Sequence, residues 1–135
     1  MKMPLSIALL LGLLTAGPAF AGSTAAIDLL LQQYRSAGAG PFSAERGRRF
    51  WHETVRTVDG RERRCTTCHT TDLRARGKHV RTGKPIAPMA PSVNPERLQK
   101  AKTIEKWFRR NCKWTLGRPC APQEKGDILR YLESQ

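Results

Sequence analysis

The chain has 135 residues, and its 24 Lys and Arg outweigh its 11 Asp and Glu for a formal net charge of +13. That length allows a single domain. The charge calls for an anionic partner, and because the chain opens on an export signal, that partner is expected to be an acidic protein or a membrane surface and not nucleic acid.

The export signal reads in three parts. Met1-Lys2-Met3 carries one positive charge, Leu5 to Leu14 is a short apolar run, and Gly17-Pro18 precedes an A-x-A site at Ala19-Phe20-Ala21. This is the pattern of a secretory signal peptide, and the run is too short for a membrane span. Residues 1–21 are therefore expected to be removed after Ala21, which places the protein in the periplasm. Residues 22–42 read as an N-terminal helix and linker, and residues 43–135 as the main domain. No cysteine follows the cleavage site, so a lipid anchor is not expected.

Ser23 or Thr24 can cap the first helix, in which Ile27, Leu30, Leu31 and Tyr34 fall at i, i+3, i+4 and i+7 on one face. Ser36 to Pro41 is rich in Gly and Ala and reads as a linker, so this helix is expected as an extension outside the core. Ser43 caps a second helix, expected to reach about Val55. Gly47 and Trp51 share one face of it, with Phe50 beside them. Asp59-Gly60 is a turn signal.

Cys65-Thr66-Thr67-Cys68-His69 follows, and C-x-x-C-H is the attachment signature of a c-type haem. Two thiols at this spacing can each form a thioether to a haem vinyl group, and the adjacent histidine supplies one axial nitrogen. A thioredoxin-like dithiol would require a βαβ pattern, which is missing, and a zinc site would require a second ligand pair. In an oxidising compartment the four cysteines divide economically: Cys65 and Cys68 take the haem, and Cys112 and Cys120 form a disulfide.

Between Leu73 and Pro95 the chain has no acidic residue and five basic ones, Arg74, Arg76, Lys78, Arg81 and Lys84. Pro85, Pro88 and Pro91 mark this stretch as an irregular loop. Its charges are expected to ring the haem edge and meet an acidic redox partner, with Arg81 and Lys84 as candidates for the haem propionates. Asn94-Pro95-Glu96 has the cap, proline and early acid of a helix start. A firmer helix is expected from Thr103 to Arg110, and a last one from Pro122 to Glu133, with Ala121 a poor cap. No strand pattern is evident. The fold class is all-α, a small class I cytochrome c-like fold around one covalent haem.

The second axial ligand separates the functional readings. Met89, in Ala87-Pro88-Met89-Ala90-Pro91, would give the His/Met pair of an ordinary electron carrier, yet it lies only 20 residues after His69. His79 is closer still, and His52 precedes the motif. Asn111 lies 42 residues after His69 and completes an i, i+3, i+4, i+7 face with Ile104, Trp107 and Phe108, the two aromatics looking inward. Spacing alone leaves two readings of Asn111 open, a haem ligand or a helix C-terminal residue.

From Ala44-Glu45-Arg46-Gly47 to the C-terminus the sequence resembles the sphaeroides haem protein (SHP) group of class I-like cytochromes c. The stretches that carry the resemblance are Cys65 to His69, Arg81-Thr82-Gly83-Lys84, Ile86-Ala87-Pro88 and Ala90-Pro91-Ser92. Further along they are Glu105-Lys106-Trp107, Arg110-Asn111-Cys112, and Gly117-Arg118 before Cys120. The resemblance implies haem c, His69 as proximal ligand, Asn111 as distal ligand in the ferric state, and a Cys112–Cys120 disulfide beside it. The family can carry leucine at Met89, which makes Met89 apolar haem packing. It also implies electrons arriving from a multihaem c-type cytochrome and a membrane b-type cytochrome, and binding of O2, NO or CO to the ferrous haem. Ala121 departs from the family's capping threonine, and Phe50-Trp51 adds an aromatic. The alternatives are a His69/Met89 electron carrier and a haem enzyme of peroxidase or NO-oxidising type. No catalytic residue is assigned, because no histidine is obviously placed for distal acid–base work.

Overall fold

The computed structural model describes residues 24–135. The expected signal peptide, residues 1–21, lies outside the described residues, as does Ser23. Among the described residues five helices carry the fold: α1 (Ala25–Ser36), α2 (Ala44–His52), the single turn α3 (Thr66–His69), α4 (Ala101–Leu116) and α5 (Pro122–Glu133).

Thr24 caps α1, its side-chain oxygen accepting from the Ile27 N–H at 3.2 Å. The face foreseen on α1 is buried, but the helix is not an extension outside the core. Ile27, Leu30, Leu31 and Tyr34 pack with Ile104 of α4 and Leu129 of α5 in one cluster. Each such large side chain is worth about 1.5–3 kcal/mol when buried, so a helix carrying this stripe gains more by folding back than by standing in solvent. The linker makes the return possible. Gly38 and Gly40 take φ of +85° and +108°, a region open to glycine. The segment is then stapled down: the Gly40 N–H donates to Gln123 Oε1 at 2.6 Å, and Arg46 Nη2 donates to the Pro41 carbonyl at 2.5 Å.

Ser43 caps α2 through the Arg46 N–H at 3.2 Å. The helix stops at His52, short of Val55, because Glu53 turns to extended backbone. Its contact with α5 is very close at Gly47, where a Cβ would overlap the Asp127 carbonyl oxygen and stand 2.8 Å from Tyr131 Cβ. Asp127 of α5 locks the same crossing. Its buried carboxylate accepts from the Ser43 N–H at 2.7 Å, from Arg46 Nε and Nη2 at 2.9 Å each, and from Gln123 Nε2 at 3.1 Å. Burial pushes the Asp127 carboxyl up, and these donors more than offset it, holding the group below the usual carboxylate range.

Two small antiparallel ladders flank the motif. β1 (Val55–Arg56) pairs with β2 (Glu62–Arg63) around the Asp59-Gly60 turn, and β3 (Gly77–Lys78) pairs with β4 (Pro85–Ile86). Strands of two residues are too short to display alternation, so the absence of a strand pattern is corrected only by structure. The helix start expected at Asn94-Pro95-Glu96 is also corrected. This segment forms turns, Leu98 takes φ of +61°, and the Asn94 side chain donates to the Pro88 carbonyl at 2.9 Å in place of capping a helix.

α4 is the larger correction. It begins at Ala101, continues past Arg110 through Asn111 and Cys112, and ends at Leu116 with Gly117 as a left-handed cap at φ +74°. A disulfide joins Cys112 to Cys120, Cα to Cα 5.5 Å, and so ties the last turns of α4 to the approach of α5. α5 has the expected bounds, and Glu124 compensates for the poor cap: its Oε2 accepts from the Ala121 N–H at 2.7 Å, and its Oε1 pairs with Arg118 Nη2 at 2.7 Å.

Candidate functional site

A cavity of about 750 Å³ lies between the C-x-x-C-H turn and α4. Cys65, Cys68, His69, Arg81, Lys84, Met89, Trp107 and Asn111 all line it, and so does His79, whereas His52 does not. The residues singled out in the sequence are therefore brought to one place from three separate segments.

The first wall is the motif itself. Cys65 and Cys68 are free thiols on the α3 turn. Burial pushes the Cys65 thiol up to about 12, which keeps it protonated and poorly reactive toward oxidants. The His69 ring is half-buried against Trp51, ring centroids 5.4 Å apart. Burial first, and the Arg97 charge second, push His69 down to about 4, so the ring is neutral at physiological pH and carries a free lone pair. Its Nδ1 is buried without a hydrogen-bond partner among the described residues. The turn keeps its place because Gly77 of β3 lies directly on it. A Cβ there would overlap the Cys68 carbonyl oxygen and approach within 3.1 Å of His69 Cα.

The second wall is α4. Thr103, Trp107, Asn111 and Trp114 follow i, i+4, i+8, i+11 and line the cavity together. The helix continues for five residues past Asn111 to Leu116, so Asn111 is an interior residue, not a C-terminal one. Arg63 braces the far end, its guanidinium 4.8 Å from the Trp114 ring centroid and donating to the Trp114 carbonyl at 2.5 Å.

The third wall is the 87–97 loop. The Met89 and Ala90 N–H groups both donate to the Leu73 carbonyl, at 2.9 and 3.0 Å. Met89 packs with Trp51, Leu73 and Ala90, the cluster next to His69. Arg97 went unnoticed in the sequence. Its Nε donates to the Pro88 carbonyl at 2.9 Å and its Nη2 to the Ala87 carbonyl at 2.6 Å, and it lines the cavity half-buried. Only its place two residues after Pro95 could have drawn attention, and that tripeptide looked like a helix start. Gly77 was likewise hidden in a basic loop. The cavity lining is strongly cationic, with Arg64, Arg81, Lys84, Arg97, Lys100 and Arg110 against Glu96.

This donor set suits haem c. Two free thiols on one turn, a neutral imidazole beside them and an apolar cavity rimmed by cations match a ring with two vinyl groups, an iron and two carboxylates. Fold and site together define a c-type cytochrome with covalently bound haem c.

Comparisons with known proteins agree. The family model described as "Domain of unknown function (DUF1924)" matches residues 37–132. The chain is 42% identical to cytochrome c-type protein SHP of Cereibacter sphaeroides over 94% of its own length and 97% of that protein. It is similar to the structure of oxidized SHP, an oxygen-binding cytochrome c, with a TM-score of 0.74 and 41% identity over 84% of this chain and 100% of that one. Cytochrome c'' of Methylophilus methylotrophus is 37% identical over 64% of this chain and 60% of that protein, and its oxidized crystal structure matches with a TM-score of 0.69, 33% identity, and coverage of 79% and 92%. The chain belongs to this SHP-like family of c-type cytochromes.

Proposed function

We propose that the protein is a periplasmic monohaem cytochrome c in which His69 is a permanent axial ligand and Asn111 a labile one, released on reduction so that a diatomic gas can bind. The observation that carries this reading is the setting of Asn111. It stands inside α4 on the stripe that lines the cavity, and its side chain makes no hydrogen bond within the described residues. An interior helical asparagine is less favourable than alanine by roughly 0.5 kcal/mol, so the amide adds nothing to the stability of the helix itself.

When bound, the haem supplies an iron that cycles between ferric and ferrous and, with one axial position open, takes O2, NO or CO. His69 is suited to both oxidation states because it is neutral and fixed by Trp51 and Gly77. Asn111 offers a hard, neutral amide oxygen, which favours ferric over ferrous iron. The neighbouring Cys112 is tied to Cys120, so Asn111 moves by side-chain rotation while its backbone stays in α4. Met89 is held by Leu73 in the cluster beside His69, a position suited to packing. SHP is described as oxygen-binding, and haem-ligand detachment is described for cytochrome c''. The family resemblance also supports electrons reaching this protein from a multihaem c-type cytochrome and a membrane b-type cytochrome.

Carbon monoxide tests the reading. Addition to the ferrous protein is expected to shift the Soret band fully at stoichiometric to micromolar gas. A ferrous spectrum that saturating carbon monoxide leaves unchanged refutes it.

A further inference from the structure

α4 has three parallel stripes. Ile104, Phe108, Cys112 and Thr115 form its more buried stripe, Thr103, Trp107, Asn111 and Trp114 the next, and both line the cavity. The third stripe is Lys102, Lys106, Arg109 and Lys113, at i, i+4, i+7 and i+11, all exposed. None of the four has a carboxylate partner among the described residues. Eight cations elsewhere are paired, as in Arg46–Asp127, Arg118–Glu124 and Arg130–Glu133, whereas the cations of the Arg74–Lys84 loop, like those of the stripe, have no carboxylate partner among the described residues. The single acid of α4, Glu105, is turned away from the stripe, accepting from Tyr34 Oη and from Lys125 Nζ at 2.8 Å.

This arrangement works against the helix that carries it. Lys102 sits in a first turn with no acidic residue, where the helix dipole disfavours a cation. Lys102–Lys106 and Arg109–Lys113 are like charges at i, i+4, which repel. Between stripe and cavity lies Trp107, with Lys106 Nζ and the Arg110 guanidinium each 5.3 Å from its ring centroid, so the field of the stripe reaches the cavity wall. A concentrated field of one sign beside a redox site steers and registers a partner of the opposite sign.

We infer that the Lys102–Lys106–Arg109–Lys113 stripe, with Trp107 at its edge, is the docking surface for an acidic electron-donor protein, which meets the cavity from the Asn111 side. The inference rests on the redox reading above and moves the docking face from the Arg74–Lys84 loop to α4. One electron passes from donor to ferric haem, and no bond between the proteins is made. Donor and diatomic gas then share the α4 wall, so a docked donor stands next to the residue that reduction releases.

The probe is a reduced plant-type [2Fe–2S] ferredoxin, an acidic one-electron donor, used on the ferric holoprotein across ionic strength beside uncharged lumiflavin semiquinone. K102Q/K106Q/R109Q/K113Q, which keeps good helix formers, is expected to lose tenfold or more of the ferredoxin rate at low salt and most of its salt dependence, with the lumiflavin rate unchanged. R74Q/R76Q/K78Q is expected to keep most of the ferredoxin rate. Equal losses in both variants, a loss confined to the loop variant, or no loss in either overturns the surface. So does an α4 variant that loses binding to anionic phosphatidylglycerol vesicles while keeping its ferredoxin rate, which would mark the stripe as a lipid contact. A wild-type haem that neither donor reduces would instead refute the redox reading on which the surface rests.

Discussion

Asn111→Ala is expected to abolish the six-coordinate ferric spectrum, leave the ferrous spectrum unchanged, and leave the melting temperature equal or slightly higher. The three outcomes come from one cause. Asn111 lies on the cavity side of α4, and its amide makes no hydrogen bond among the described residues, so truncation removes no hydrogen bond seen there. Alanine is the better helix former by roughly 0.5 kcal/mol, which sets the sign of the stability change. What truncation does remove is the only side-chain oxygen that α4 offers to the cavity from the turn between Trp107 and Trp114. Ultraviolet–visible spectra in both oxidation states, with a thermal melt of the same sample, check all three. An unchanged ferric spectrum would show that Asn111 is not a ligand, and a large fall in melting temperature would show that its role is structural.

Gly47→Ala is expected to destabilise the fold strongly through one methyl group. The added Cβ would overlap the Asp127 carbonyl oxygen on α5 and press on Tyr131 Cβ at 2.8 Å. Neither can yield easily, since Asp127 is held by Ser43 and Arg46 and Tyr131 packs on Trp51 at 6.3 Å between ring centroids. Overpacking costs about 1–3 kcal/mol, and an overlap with backbone belongs at the upper end, about 3 kcal/mol. For a domain of this size that corresponds to a fall of roughly 10–20 °C in melting temperature. The effect reaches the cofactor, because Trp51 lies one turn beyond Gly47 and 5.4 Å from the His69 ring. Calorimetry on the holoprotein is the check, and a melt within a few degrees of wild type would mean that the α2–α5 crossing is looser than described.

The features most legible in the sequence are those set by local chemistry. Ser43 before Ala44, Pro122 at the start of α5 and the C-x-x-C-H turn each mark their own position, and structure and sequence agree there. The disulfide followed from pairing the two cysteines left over by the haem motif. What the sequence concealed depends on residues far apart. α1 read as an extension because a Gly-rich linker follows it, and only Ile104 and Leu129 explain why it returns to the core. Asn94-Pro95-Glu96 has the composition of a helix start, but the Asn94 amide is better used on the Pro88 carbonyl, which helps to hold the loop beside Met89. α4 outruns its expected end because Cys112 and Thr115 are buried on its inner face and continue the stripe beyond Asn111. Arg97 could not be found by pattern at all, since its partners are the carbonyls of Ala87 and Pro88 and backbone acceptors leave no trace in side-chain spacing.

The most direct test of the switch is the coordination number of the iron in both oxidation states of one wild-type sample, read by resonance Raman marker bands during electrochemical poising. The account predicts a six-coordinate ferric iron and a five-coordinate ferrous iron, with the change reversing on reoxidation. A six-coordinate iron in both states, with the ferric charge-transfer signature of sulfur ligation, would contradict it and assign the second axial position to Met89.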